Sequence, residues 1–243
     1  MFRKQGVCPA MTSPERPTPN GKASDLDSPA LLAGDLSAFA DDAAAELASG
    51  CGSSLVDSWF ERAKLPSPKT LRNPARDQID HPRLQSLYDY WCGLPRGGDC
   101  PEPLPNAGAL DALELQEWLG DLMLLEVLDK GQDFRYRVYG SSVAAHVGFD
   151  LTGKRTSEVG SFLGIGSLIP LYFLAVYRRT VLDRCAWYGV HQPPQTVTAF
   201  FWRRLILPFA DQNGEVTRLL VGILPSSRDG HTRQSVTFGR RVP

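Results

Sequence analysis

Apolar side chains recur at helical spacing in two stretches of the chain. After Asp80, four apolar residues follow the spacing i, i+3, i+4 and i+7: Leu84, Leu87, Tyr88 and Trp91. This spacing predicts a helix that Asp80 caps and that ends before Gly93. A second apolar stripe between Ile165 and Thr180 predicts a long helix. Shorter helices are predicted at residues 111–119, 141–147 and 157–162.

Other apolar segments have the length and composition of β-strands. They are residues 121–129, 134–139, 185–190, 196–209 and 216–224. Turn-forming residues at 129–131 and 211–214 are short enough to join their flanking strands as antiparallel hairpins. Because the strands cluster on either side of one helical block, the sequence predicts an α+β fold with an antiparallel sheet.

Composition divides the chain into an extension (1–79), a domain (80–226) and a loose tail (227–243). The extension is predicted to be largely disordered or weakly helical, because it begins with small, polar and proline residues. Within it, residues 30–63 could form one or two helices that cap a domain, and residues 65–80 have the proline-rich composition of a linker. We therefore expect the extension to be dispensable for folding.

The overall composition is that of a globular protein. Apolar residues make up 42% of the 243-residue chain, and the net charge of −1 gives no basic excess for nucleic acid or an anionic membrane. No apolar run approaches the roughly 20 residues that span a bilayer, and the N-terminus has no secretory signal. The five scattered cysteines fit reduced thiols. These features predict a cytoplasmic protein.

No sequence motif indicates catalysis or metal binding. The chain has no nucleophile elbow, phosphate-binding loop or dinucleotide fingerprint, and its four histidines are dispersed. We therefore assign no catalytic residue and no metal ligand.

A set of aromatic and arginine side chains forms the candidate ligand pocket. Its members are Tyr136, Phe173, Tyr177, Trp187, Trp202, Arg203 and Arg204. Side chains alternate along a strand, so Trp202 and Arg204 share one face of theirs while Arg203 lies on the other. Either arginine could enter the pocket and hold an anionic ligand group.

The first helical stripe is the candidate interface. Leu84, Leu87, Tyr88 and Trp91 could pack on the sheet of their own chain or on the same helix of a second copy.

Several motifs resemble one protein family. They are Leu87-Tyr88-x-Tyr90-Trp91, Leu122 to Val127, Asp133 to Gly140, Gly148-x-Asp150-Leu151-Thr152-Gly153-Lys154, and Leu205 to Phe209. Together they resemble the PAS-domain family of alphaproteobacteria whose members often stand alone, over about residues 80–225. The resemblance implies the order β-β-α-α-α-α-β-β-β, with a five-stranded antiparallel sheet, a central helical block and N-terminal capping helices.

The resemblance also implies a sensory or regulatory role without catalysis. Haem and flavin are not supported, because the long helix has no histidine and the chain lacks a flavin-binding motif of the G-R-N-C-R type. We expect a module that contacts a separate signalling protein or a second copy of itself, gated by a small ligand, with no nucleic-acid or membrane partner. The alternatives are a small enzyme that uses the same cavity and a nucleic-acid regulator. The latter would need one basic face formed by Arg178, Arg179, Arg184, Arg203 and Arg204.

Overall fold

The computed structural model describes residues 33–49, 52–97, 103–163, 168–193 and 200–226. The predicted arm at the start of the extension and the tail at 227–243 lie outside these residues.

An antiparallel sheet forms the centre of the molecule. Among the described residues it has six strands: β1 Lys69–Arg72, β4 Leu122–Leu128, β5 Asp133–Tyr139, β6 Trp187–His191, β7 Phe201–Ala210 and β8 Val216–Ser226. Their order across the sheet is β1-β6-β7-β8-β4-β5. A separate two-stranded ladder joins β2 (Arg96–Gly97) to β3 (Leu104–Pro105). The predicted α+β class and antiparallel sheet are confirmed.

The helices lie before and within this strand order. They are α1 Ala33–Leu47, α2 Ser54–Arg62, α3 Pro82–Gly93, α4 Ser141–Val147, α5 Thr156–Leu163 and α6 Leu168–Asp183. In the described part of the chain, three helices separate β5 from β6, where the family resemblance implies four.

The two faces of the sheet are covered by different helices. The inner face packs on α6, where the rings of Phe134 and Tyr177 lie 5.5 Å apart. The outer face packs on α3, where the Trp91 indole donates to the Pro208 carbonyl at 2.9 Å. The strand register shows which of the two faces each remaining side chain of the sheet lies on, because directly paired residues of an antiparallel sheet share a face.

The extension contributes to the fold. Helix α1 packs on α6 through the buried Arg178, which donates to Asp41 at 2.8 Å and to the Ser37 carbonyl at 2.7 Å. From α2, Trp59 and Phe60 enter the hydrophobic core. The linker interpretation of residues 65–80 is wrong for β1, which pairs with β6 as a sixth strand. A four-residue edge strand needs only one neighbour, and β6 supplies it.

Two local predictions also differ from the structure. The predicted helix at 111–119 is instead a series of turns that ends in a 3-10 turn, Leu119–Asp121. His81 caps α3 by accepting a hydrogen bond from the Arg83 amide at 3.3 Å. Asp80 does not cap the helix, because its carboxylate is held by side chains of the sheet.

The stretch from β5 to Lys154 folds back on itself. Gly148 ends α4 with φ of 93°, and Gly153 turns the chain with φ of 85°. The Gly153 amide then donates to the Tyr136 carbonyl at 2.7 Å, and the Tyr136 amide donates to the Lys154 carbonyl at 3.0 Å. Glycine is favoured at both turns because other residues rarely adopt a positive φ.

Candidate functional site

A small cavity lies between the inner face of the sheet and α6. Its volume is about 10 Å³, which is on the scale of about one water molecule. Its lining residues come from β1, α6, β6 and β7: Thr70, Tyr172, Phe173, Val176, Tyr188, Gly189, His191, Arg204 and Ile206.

Arg204 is the only cationic side chain in this lining, as far as the described residues extend. The residue is 8% exposed, and its guanidinium carbon stacks 3.4 Å from the centre of the Phe173 ring. Its Nη1 donates to the Tyr177 hydroxyl at 2.9 Å. Its buried Nε has no hydrogen-bond acceptor. The guanidinium is therefore fixed in place but only partly satisfied.

The groups around Arg204 are neutral. Burial lowers the pKa of His191 well below its usual value, and the charge of Arg204 lowers it further. Burial raises the pKa of Tyr172 to about 12, although the Thr70 hydroxyl and Arg204 oppose the rise. Burial likewise raises the pKa of Tyr177. At neutral pH, no anionic group lies in the described lining to balance the charge of Arg204.

The extension supplies part of the site. The hydroxyls of Thr70 and Tyr172 share a hydrogen bond of 2.8 Å. Gly189 permits this approach, because a β-carbon there would lie 3.1 Å from the Tyr172 hydroxyl. Behind the cavity, the Phe60 ring lies 5.4 Å from Tyr172 and 6.4 Å from His191.

The outer face of β7 carries a second polar network. Arg203 donates to the Asp80 carboxylate at 2.8 Å, and the Tyr188 hydroxyl donates to the same carboxylate. Burial raises the pKa of Asp80, but these two hydrogen bonds outweigh burial and hold the pKa below its usual value. Asp80 lies just before α3, so the network ties the beginning of that helix to β7.

A family model described as PAS domain matches residues 79–224, more than half of the chain. The chain belongs to the PAS domain family. Comparisons with curated proteins and with solved structures found no match. PAS domains serve as sensory or regulatory modules, and this role class extends to the present chain.

The structure of this PAS domain brings part of the predicted pocket together. Phe173 and Arg204 line the cavity, and Tyr177 binds Arg204. The other aromatic members lie on the same face of the sheet but outside the lining: Tyr136, Trp187 and Trp202. Arg203 lies on the opposite face. The alternation of side chains along the strand allowed either arginine to enter the pocket. In the structure, Arg204 is the one that lies in the cavity.

The predicted interface residues lie mainly within their own chain. Leu84, Leu87 and Trp91 are buried, and the two leucines contact the sheet at Gly222. Tyr88 is half-buried. The stripe thus packs on its own sheet, the first of the two alternatives, and dimerisation stays a prediction.

Sequence reasoning missed several lining residues of this PAS domain. Thr70 was hidden in a segment with linker composition. Tyr172 was visible in the helical stripe, but nothing in its spacing distinguished it from core packing. His191 was one of four dispersed histidines, and only the strand register, which pairs it with Trp202, places it on the same face of the sheet as Arg204.

The described residues contain neither a metal-binding cluster nor a membrane-spanning helix. No group of three or more His, Cys, Asp or Glu side chains is placed to hold a metal ion there. None of the helices in the described ranges is long and apolar enough to cross a membrane.

Proposed function

We propose that this PAS domain is a non-catalytic regulatory module of the cytoplasm, gated by a small ligand in the cavity and acting through protein–protein contact. One observation carries the proposal. Strand β7 places Arg204 in the cavity and the adjacent Arg203 on the outer face, where Arg203 binds Asp80. The cavity and the beginning of α3 are therefore connected through two consecutive residues.

This connection provides a physical route for a signal. A ligand shifts a conformational equilibrium only by its difference in affinity for the two states. A ligand that repositions Arg204 also moves the backbone of β7, and this movement changes the geometry between Arg203 and Asp80. The α3 surface is then presented differently to a separate signalling protein or to a second copy of the chain.

The alternative functions have less support. The described lining has no carboxylate or thiol, and its one neutral imidazole, His191, has no activated nucleophile beside it because the Thr70 hydroxyl is hydrogen-bonded to Tyr172, which favours binding over turnover. The five arginines that a nucleic-acid regulator would need are dispersed. Arg178 binds Asp41, Arg179 binds Asp183, and Arg184 donates to the Gly214 carbonyl, while Arg203 and Arg204 lie on opposite faces. The proposal includes no haem, flavin, nucleic acid or membrane.

The proposal is tested by weakening the contact between β7 and α3. Full-length chain carrying Arg203→Ala is compared with wild type and with Arg76→Ala, which removes an exposed ion pair to Asp89 of α3 at 2.8 Å but leaves β7 untouched. Each protein is isolated from its own host cells, and the co-purifying proteins are quantified. Sedimentation over a range of concentrations detects self-association.

We expect a protein partner, or a dimer, that the Arg76 variant retains and the Arg203 variant loses. The same partners and the same oligomeric state in all three proteins would contradict the proposal. Turnover of a metabolite by the purified chain would contradict its non-catalytic part.

A further inference from the structure

We propose that the cavity beside Arg204 binds a small monovalent anion, either a halide or a single carboxylate group. This inference rests on the proposed function in that it names the ligand class of the same cavity. Its support is the charge, the hydrogen bonding and the size of the site.

The charge of Arg204 is not balanced within the described chain. None of the ion pairs of the described residues includes Arg204. A buried charge is costly unless a counter-charge and hydrogen bonds compensate its loss of water. A bound anion would supply that counter-charge.

Hydrogen bonding of Arg204 is also incomplete. Nη1 donates to the Tyr177 hydroxyl, whose raised pKa keeps it neutral, so this bond does not cancel the charge. The buried Nε has no acceptor. Buried donors are almost always paired in folded proteins, so an unpaired one beside a cavity indicates an acceptor that the chain itself does not provide.

Size and neutral polar groups restrict the ligand. A volume of about 10 Å³ accommodates roughly one water-sized group, such as a halide ion or one oxygen of a carboxylate, which excludes nucleotides and polyanions as whole occupants. Thr70, Tyr172 and His191 add only neutral groups to the lining. A single negative charge therefore matches the single positive charge of the site.

The test uses the full-length chain and chloride as the probe. Chloride bound to a protein relaxes faster than free chloride, so the linewidth of its NMR signal reports binding. The protein is titrated with sodium chloride in sodium isethionate, whose sulfonate anion is neither a halide nor a carboxylate. Sodium formate is then added as a competitor with one carboxylate. We expect saturable broadening that formate removes.

Three variants locate the site. Arg204→Met should weaken chloride binding about tenfold to a hundredfold. This is the change in affinity that the loss of one hydrogen bond to a charged group would cause. Arg76→Met is the matched control, because it removes an exposed arginine that pairs with Asp89 and lies outside the cavity lining, so it should leave the broadening unchanged. If Arg204→Met does not fold, Arg204→Lys keeps the charge but loses the planar donor set and should still change the relative affinities for chloride and formate.

Each outcome decides the inference. Formate that competes more strongly than chloride itself assigns the site to carboxylates, and weaker competition assigns it to halides. Broadening that formate does not remove, broadening that Arg204→Met or Arg204→Lys leaves unaltered, or no saturable broadening would overturn the inference. These measurements use the isolated chain. Chloride binding can therefore be absent while the Arg203-dependent partner contact persists, and the partner contact can be absent while chloride still binds.

Discussion

At the scale of single residues, two buried arginines of this PAS domain differ in how completely their hydrogen-bond donors are satisfied. Arg178 is 3% exposed, and its guanidinium donates to two backbone carbonyls, a hydroxyl and the Asp41 carboxylate. Arg204 is 8% exposed and has one neutral acceptor. Arg178 therefore serves the packing of α1 on α6, whereas Arg204 retains binding capacity towards the cavity.

His191 should respond to whatever occupies that cavity. Its pKa lies well below its usual value because of burial and of the charge of Arg204. Without added anion, we expect its ring proton signals in NMR to show no titration in the pH range where an ordinary histidine titrates. An anion on Arg204 removes part of the charge effect, so formate should raise the pKa of His191. By linkage, formate then binds more tightly as the pH falls.

The Arg204→Met variant is the control for this measurement, because it lacks the charge that lowers the pKa of His191 and that formate would neutralise. In this variant, formate should leave the His191 titration unchanged. A His191 that titrates near its usual pKa before formate is added would contradict the prediction.

Asp133 should stabilise the domain in a pH-dependent way. Its carboxylate accepts hydrogen bonds from the Thr156 hydroxyl at 2.7 Å and from the Ser157 amide and hydroxyl at 3.1 and 2.8 Å, which fixes the beginning of α5. Burial raises the pKa of Asp133, but these bonds outweigh burial and leave the pKa below its usual value of 3.8. Asp133→Asn should therefore cost about 1–3 kcal/mol at neutral pH.

The sign of the pH effect follows from the lowered pKa. The stabilisation is complete above the usual pKa of an unfolded aspartate and is lost as the pH falls through the folded value. Urea unfolding should give a difference between wild type and Asp133→Asn that narrows below about pH 4. Asp150→Asn, which changes an exposed carboxylate bonded to Thr152 alone, should have a smaller effect. An equal effect of both substitutions would argue against the role of Asp133.

At the scale of elements, α3 fits the outer face of the sheet closely at one point. A β-carbon on Gly222 would lie 2.5 Å from Leu87 Cδ2 and 2.9 Å from Leu84 Cδ2. Gly222→Ala should therefore destabilise the protein by about 1–3 kcal/mol, because the leucines are buried and have little room to move. The urea midpoint, followed by circular dichroism, measures the effect.

Gly93→Ala is the matched substitution at the end of α3, where a β-carbon meets nothing within 4 Å. It should leave the midpoint unchanged or raise it slightly. A Gly222 variant as stable as the Gly93 variant would mean that α3 does not pack on the sheet in this way.

At the scale of the whole molecule, the compact unit begins well before residue 80. Contacts within the chain place its start at Ala33. Deleting residues 1–79 removes β1 from the edge of β6 and two buried rings, Trp59 and Phe60. We expect this deletion to lower the midpoint of thermal unfolding and broaden the transition, contrary to the expectation from composition.

Deleting residues 1–32 alone is the control and should preserve the cooperative transition of the full chain. Calorimetry of the three proteins compares them directly. If the chain that begins at residue 80 unfolds at the same temperature as the full chain, the interpretation from composition is correct and α1, α2 and β1 are accessory.

The elements of the domain were largely predictable, whereas its site was only partly so. The stripe that became α3 and the alternation along β7 are periodic patterns, and each was visible within about ten residues. Strand β1 was not visible, because Lys69–Arg72 carries little apolar alternation and stands among prolines. It becomes a strand because β6 offers a free edge.

The sequence by itself determined most of the secondary structure, the family and the fact that Arg203 and Arg204 point in opposite directions. These properties depend on spacing between near neighbours, which the chain records directly. Only the tertiary structure decided which arginine enters the cavity. That choice depends on α6 covering one face of the sheet, on the Tyr177 hydroxyl 27 residues from Arg204, and on Thr70 meeting Tyr172 across 102 residues. Such contacts form only when the whole chain has folded, so no local pattern encodes them.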